Sequence, residues 1–310
     1  MRRAAHAKAN LALAVTGRRD DGFHTLSSVF VRLELHDDLA VELGDPGTPD
    51  ALDVSGDPDC PIKGNLVLEA AAAVRATVTG QRPGQELPGL SFHLEKRIPI
   101  AAGLAGGSTD AATALDLAAM CWGIRFDPDD RLALALRLGA DVPFFAGGFG
   151  AALVEGAGER VCRLSAPVPP AGVLLVTPPT RLATASVFDA FDRLPPTTTK
   201  STDAVDPLAR EMRPGLTGEA LAALAPNLRD ANDLWPAAAS ILPTLVALRD
   251  DLEAALGRPI LMTGSGSTLL ALYPSPGAAD EAATVLSRSG LASLADARII
   301  ATRTHGEATA

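Results

Sequence analysis

Between Lys96 and Leu115 the chain reads KRIPIAAGLAGGSTDAATAL, and few folds can hold such a stretch. Before it, Leu90, Phe92 and Leu94 alternate with polar residues, the pattern of a half-buried strand. After it, Ala111, Leu115, Ala118 and Trp122 recur at intervals of four, three and four, which predicts a helix over Thr109–Trp122 that Gly123 can end. Gly103, Gly106 and Gly107 therefore fall in a strand-to-helix connection, with the helix starting near Ser108 or Thr109. Glycine lets a backbone approach a ligand closely. A helix start offers unpaired N–H groups and the positive end of a dipole, which together suit an anion such as phosphate. Ser108 and Thr109 add hydroxyl donors. Taken alone, the loop reads equally as a phosphate site or as a glycine-rich turn with a Ser/Thr cap. It is not a P-loop, because no Gly-Lys-Ser/Thr ends it, and the glycine spacing is wrong for a dinucleotide fingerprint, which disfavours a dinucleotide-dependent oxidoreductase.

Helices and strands are spread along the whole chain. Asn65 is a fair N-cap for a helix over 65–79, and Asp127-Pro128-Asp129-Asp130 followed by Gly139 bounds another. Strands are expected over 8–16, 26–43, 90–95 and 172–177, a strand pair over 149–164, two strands joined by a Gly-Ser-Gly turn over 259–273, and a last strand near 297–303. A long helical region is expected over 233–256 and a helix near 278–289. The Pro- and Thr-rich segment 194–203 reads as a loop, and the tail after Arg303 as a frayed end. Hairpin-like strand pairs mixed with helices point to an α+β fold, and the proline cluster at 165–172 suggests a domain boundary.

At 310 residues with 47% apolar and 21% charged residues, the chain can bury a sizeable core. The net charge of −10 argues against a nucleic-acid partner, which calls for a basic patch. Cys60, Cys121 and Cys162 are odd in number and far apart, which fits reduced thiols rather than a disulfide framework or zinc site. No signal-peptide run or uncharged membrane span is present, so a cytoplasmic protein without a membrane partner is expected.

PIAAGLAGGSTDAA resembles the ATP-binding motif of the GHMP kinases, roughly Pro-x-x-x-Gly-Leu-(Gly/Ala)-(Gly)-Ser-Ser. In that family the loop wraps the nucleotide phosphates without a Walker lysine. Ala105 stands where many members carry glycine and Thr109 where many carry serine. A methyl group at Ala105 is tolerable if its φ is negative. Residues 7–30, AKANLALAVTGRRDDGFHTLSSVF, are similar to the opening of the 4-diphosphocytidyl-2-C-methyl-D-erythritol kinases, matching at Lys8, Asn10, Gly17, Arg19, Asp21, Gly22, Phe23 and His24. LGADVPFF at 138–145 resembles the segment that carries that family's catalytic aspartate. TGSGSTLLAL at 263–272 resembles the C-terminal glycine motif of the superfamily, and NDLWPAAA at 232–239 a segment common in these kinases.

The resemblance implies a two-domain GHMP kinase fold: an ATP-binding domain over 1–165 with a left-handed-crossover, ribosomal-protein-like topology, and an α/β-sandwich substrate domain over 166–310. It implies ATP-dependent phosphorylation of a hydroxyl on the methylerythritol unit, giving the 2-phosphate and ADP, with Mg2+ accompanying the nucleotide. Pro99, Ile100, Ala101, Ala102, Gly103, Leu104, Ala105, Gly106, Gly107, Ser108 and Thr109 become the ATP loop, Asp141 the catalytic base and Lys8 its cationic partner. Phe23 and His24 suit a cytosine, one by stacking and the other by hydrogen bonding. Phe188 is a candidate for the opposite stacking face, with Phe191 competing and Thr184 a companion. Asn10 is expected to bond the substrate or orient Lys8, and Gly264, Ser265 and Gly266 to offer N–H groups to the diphosphate. His6, His36, His93 and His305 show no ligand spacing, Trp122 and Trp235 read as packing residues, and no residue is assigned as a metal ligand. The implied partner is a small molecule, and the implied assembly a monomer or homodimer. The alternatives are another GHMP kinase, of homoserine or mevalonate type, or a binding protein that keeps the pocket without turnover.

Overall fold

A computed structural model describes residues 1–195 and 201–306. The chain forms two compact units, each drawn from several stretches of sequence. The first takes 1–7, 35–100 and 105–148; the second takes 8–34, 101–104 and 149–310. Two long strands, β1 (Arg2–Arg18) and β2 (His24–Pro46), pair with each other and contribute residues to both units. No described helix is long and apolar enough to cross a membrane.

In the first unit, β3 (Ala51–Ser55), α1 (Leu66–Gln81) and β4 (Pro88–Glu95) form a crossover whose two strands are parallel neighbours. The C-terminal part of β2 lies antiparallel to β4, with Leu39 opposite Leu94 and Leu43 opposite Leu90. Leu90, Phe92 and Leu94 are buried, as their alternation predicts. Three helices complete the unit: α2 (Gly106–Cys121), α3 (Pro128–Leu138) and α4 (Val142–Ala146). Local chemistry sets two of the helix starts. The Asn65 side chain accepts from the Val67 N–H at 3.0 Å, and Asp127 accepts from the Asp130 N–H at 2.8 Å. α2 differs from its expectation in two ways. It begins at Gly106 rather than near Ser108 or Thr109, and it is buried almost all round rather than along one stripe. Its alanines let α1 and α4 pack closely against it, so a period-four stripe describes only part of its buried surface.

In the second unit, the N-terminal part of β2 pairs antiparallel with β5 (Ala151–Gly156), which pairs with β6 (Arg160–Leu164). A second sheet is built from β7 (Gly172–Thr177), followed by the helices α5 (Thr184–Phe191), α6 (Thr202–Met212), α7 (Gly218–Ala223), α8 (Ala225–Leu228), α9 (Trp235–Ile241) and α10 (Thr244–Leu256). Then come β8 (Leu261–Met262), β9 (Leu269–Tyr273), α11 (Pro276–Arg288) and β10 (Arg298–Arg303). The strand order is β10-β7-β9-β8, antiparallel throughout. Leu174, Val176, Val187, Leu248, Leu252 and Leu269 are among the buried side chains of its core.

Three expectations change here. The helical region over 233–256 is two helices, because Pro243 cannot continue the hydrogen-bond ladder of α9. Of the loop expected over 194–203, residues 196–200 lie outside the described residues, while 202 and 203 already belong to α6. The tail is held beyond Arg303: Thr304 is buried, its N–H donates to the Ala171 carbonyl at 3.0 Å, and its hydroxyl accepts from the Ala171 N–H at 3.0 Å. Residues 307–310 lie outside the described residues.

Candidate active site

The glycine loop has an unusual backbone. Ala101, Gly103 and Ala105 all take left-handed φ values, at 53°, 77° and 56°. A negative φ at Ala105, the condition for tolerating its methyl group there, is not met. The turn into α2 requires the left-handed conformation, which costs a non-glycine residue about 1–2 kcal/mol. The neighbouring carbonyls are all engaged. Ala102 O accepts from the Thr268 N–H at 3.4 Å and Leu104 O from the Lys8 N–H at 3.2 Å. Gly103 O accepts from Lys8 Nζ and from Thr263 Oγ1, each at 3.3 Å. In a trans peptide the N–H points opposite to the carbonyl. Fixing these carbonyls therefore turns the N–H groups of Gly103, Leu104 and Ala105 the other way. The first intrahelical bond of α2 runs from the Thr109 N–H to Ala105 O at 3.1 Å, so the N–H groups of Gly106, Gly107 and Ser108 precede the ladder. In the first unit the start of α2 thus carries N–H groups ahead of the helix ladder, the kind of arrangement that suits an anion.

Gly103 cannot be replaced cheaply. A Cβ there would come within 2.2 Å of the Thr263 carbonyl oxygen. Gly264, with φ 58°, packs back against the loop: its Cβ would sit 2.9 Å from Gly103 O. The two glycine segments, far apart in sequence, are thus interlocked in the second unit.

Lys8 is buried beside them. Its ammonium donates to Asn10 Oδ1 at 2.5 Å and to Gly103 O, and lies 4.7 Å from the centroid of the Phe30 ring. The Asn10 amide donates to Ser28 Oγ at 2.8 Å, and the Asn10 N–H donates to Thr263 Oγ1 at 2.9 Å. The Asn10 side chain thus bridges the Lys8 ammonium and the Ser28 hydroxyl. The Ser265 and Thr184 hydroxyls share a hydrogen bond of 3.0 Å, and the Gly266 N–H closes a turn on Thr263 O at 3.0 Å.

A second cluster of the same unit surrounds the β1–β2 turn. Phe23 is 68% exposed, a large apolar face open to solvent. His24 stacks on Phe188 with centroids 4.7 Å apart and planes at 21°, while Phe191 meets it edge-on at 6.2 Å. One face of Phe188 is thus occupied by His24. His24 Nε2 contacts Asp192 Oδ1 at 2.7 Å, and Arg18 Nη1 lies 3.1 Å from Asp192 Oδ2.

In the first unit, Asp141 is half-buried at the N-cap of α4. Beneath the start of α2 lies a buried triad absent from the sequence reading. Lys96 Nζ donates to Asp110 Oδ2 at 2.8 Å and to Asp37 Oδ2. The other Asp37 oxygen accepts from the Arg97 N–H at 2.5 Å and the Ile98 N–H at 2.8 Å. Asp110 Oδ1 is buried and has no hydrogen-bond partner among the described residues. Burial works against the Lys96 charge, but the carboxylates of Asp110 and Asp37 outweigh it and hold the ammonium above its ordinary range. Burial pushes the Asp110 carboxyl up to about 7, despite the attraction of Lys96 and with help from the charge on Asp37. Asp37 is met by three donors and Asp110 by one, and the raised Asp110 carboxyl is where a proton goes.

Asn232, in the segment NDLWPAAA, holds the glycine turn of the second unit. Its amide donates to the carbonyls of Met262 and Gly264, each at 2.9 Å, and its Oδ1 accepts from the Leu234 N–H at 3.0 Å. The signal available was a lone Asn before an apolar run, which reads as an ordinary cap. Among the described residues no group of three or more His, Cys, Asp or Glu side chains is arranged to hold a metal ion. Asp110, the acidic residue nearest the glycine loop in sequence, is buried and engaged by Lys96, which makes it unsuited to coordinate Mg2+.

The GHMP kinases N terminal domain model matches residues 65–149, and the GHMP kinases C terminal model matches residues 207–291. A 4-diphosphocytidyl-2-C-methyl-D-erythritol kinase of Pelotomaculum thermopropionicum is 38% identical over 300 residues, covering 97% of this chain and 96% of the relative. A crystal structure of 4-(cytidine 5'-diphospho)-2C-methyl-D-erythritol kinase superposes with a TM-score of 0.70 at 34% identity, covering 99% of this chain and all of that one. The crystal structure of L. major mevalonate kinase in complex with R-mevalonate gives a TM-score of 0.72 at 14% identity, a likeness of fold alone. Both domains of the two-domain α+β GHMP fold are therefore present, and the chain belongs to the 4-diphosphocytidyl-2-C-methyl-D-erythritol kinase family.

Proposed function

We propose that the protein transfers the γ-phosphoryl group of ATP to a hydroxyl of 4-diphosphocytidyl-2-C-methyl-D-erythritol, forming the 2-phosphate and ADP in the non-mevalonate route to isoprenoid precursors. The observation that carries the reading is the interlocked node of Lys8, Asn10, Gly103 and Thr263, which fixes a buried cation on a phosphate-type loop. The loop over 99–109 takes the phosphates through backbone N–H groups. Asp141 accepts the proton of the attacking hydroxyl, and Lys8 offsets the charge developing on the transferred group. Mg2+ arrives as the counter-ion of the triphosphate, so MgATP is the substrate and no protein ligand is assigned to the metal.

The cytosine stacks on Phe23 and presents its edge to His24, with Phe188 bounding the other side. Thr184, Gly264, Ser265 and Gly266 line the path of the diphosphate. The nucleotide functions fall to residues 1–165 and the substrate functions chiefly to 166–310. The protein works in the cytoplasm, as a monomer or homodimer.

Incubation with MgATP and the diphosphocytidyl alcohol, followed by phosphorus NMR, tests the reading. A new phosphomonoester resonance with ADP is expected. Phosphorylation of homoserine or mevalonate instead would place the protein with another GHMP activity. Asp141→Ala is expected to cut turnover by several orders of magnitude while ATP still binds; near-normal turnover removes Asp141 from the mechanism.

A further inference from the structure

We infer that Asp192 sets the tautomer of His24 and so makes this imidazole a device that selects an aminopyrimidine over an oxopyrimidine. The inference rests on the cytosine subsite proposed above and adds to it a residue outside all the quoted motifs.

The geometry is compact. α5 presents Phe188 and Asp192, one turn apart, to the same ring: Phe188 stacks on the imidazole and Asp192 meets its Nε2 at 2.7 Å. An ionised carboxylate only accepts hydrogen bonds. The Arg18 guanidinium lies 3.1 Å from the other oxygen and donates to it, so both oxygens of the carboxylate face donors. The hydrogen of a neutral His24 must then sit on Nε2, which leaves Nδ1 as a bare acceptor. A cytosine offers its exocyclic N4 amine, a donor, at the edge where uracil offers O4, an acceptor. Bare Nδ1 pairs with the first and opposes the second. The Phe188 stack holds the ring plane, so the imidazole cannot simply turn over to present its other nitrogen.

Asp192→Asn separates this role from a structural one, because Arg18 dictates which way the new amide faces. The guanidinium needs an acceptor, so the amide oxygen turns to Arg18 and the NH2 turns to His24. Nε2 becomes the acceptor, the hydrogen moves to Nδ1, and the polarity offered to the base inverts. Removing Arg18 in the same protein frees the amide to turn back.

The test combines two readouts on the full chain, made where the ring nitrogen shifts themselves show a neutral imidazole. Long-range proton–nitrogen NMR of ring-labelled His24 reports the tautomer, and calorimetry with CDP and with UDP reports the preference. In the wild type we expect the Nε2–H form and CDP tighter than UDP by roughly tenfold or more. In Asp192→Asn we expect the Nδ1–H form and a preference reduced to about one or inverted, and in Arg18→Ala/Asp192→Asn a partial return of both. A wild type in the Nδ1–H form, or an Asp192→Asn variant that weakens CDP and UDP equally, overturns the inference. If neither nucleotide diphosphate binds the wild type, it is the cytosine subsite that fails, while the NMR result still decides whether Asp192 sets the tautomer.

Discussion

Replacing Asp110 by Asn should remove a pH dependence of stability that the buried triad builds into the first unit. The Asp110 carboxyl moves from its ordinary 3.8 up to about 7 in the fold, because it is buried and shares one ammonium with Asp37. Between those values the folded protein holds a proton that the unfolded chain has released. Stability therefore falls as pH rises through this window, in the direction opposite to that of a salt-bridged carboxylate with a lowered value. Three pK units at about 1.4 kcal/mol each give about 4 kcal/mol for the whole traverse. Asn keeps an oxygen for the Lys96 ammonium, 2.8 Å away in the wild type, and cannot titrate. It also leaves Lys96 and Asp37 as a balanced pair. The assay is urea unfolding between about pH 4.5 and 8. It is followed by Trp122 fluorescence in a Trp235→Phe background, since Trp122 is buried in the first unit and its indole donates to Pro88 O at 3.1 Å. The wild type should lose stability relative to Asp110→Asn as the pH rises, with most of the divergence below pH 7. Parallel curves for the two proteins would refute the assignment of the proton to Asp110.

Gly103→Ala should destabilise the protein by at least about 2 kcal/mol, because φ is 77° and a Cβ meets the Thr263 carbonyl at 2.2 Å; an unchanged thermal midpoint would contradict this. Ala105→Gly should act in the opposite direction. Relief of about 1–2 kcal/mol of left-handed strain exceeds the extra chain entropy of about 0.4–1 kcal/mol, so a net gain of about 0.5–1 kcal/mol is expected in denaturant unfolding, and a loss would count against the backbone geometry. Asn232→Ala removes three buried hydrogen bonds and should cost about 3 kcal/mol; amide exchange would show faster opening of 262–266, and unchanged protection there would refute the role of Asn232 as a clamp.

Much of the fold was legible because the forces that set it are local. The caps at Asn65 and Asp127 bond to N–H groups two and three residues on, and both helices start where those caps predict. The apolar-rich run 172–177 became a fully buried strand with partners on both sides. Two elements depart from the expected pattern for different reasons. Tertiary packing covers α2 nearly all round, so its period-four stripe is one face only, whereas the 233–256 region divides at Pro243 for the local reason that proline cannot continue a helix. Lys8, Asn10, the glycine loop and the 263–267 turn were each visible as motifs, but the bonds that join them were not.

The sequence by itself determined which residue types stand at the loop, at the β1–β2 turn and in LGADVPFF, and thereby the family. It also determined the helix and strand starts that depend on neighbours a few positions away. Only the tertiary structure decided the sign of φ at Ala105, the pairing of Lys96 with Asp37 and Asp110, the hydrogen bond of Lys8 to Asn10, and the contact of Asp192 with His24. The physical reason is reach. A cap or a turn is satisfied within one helical turn, whereas Thr263 meets Asn10 across 253 residues and Asp192 meets His24 across 168. Polar groups at such separations carry no local signature of their partner, and only the folded chain brings them within the 3 Å or so at which a hydrogen bond acts.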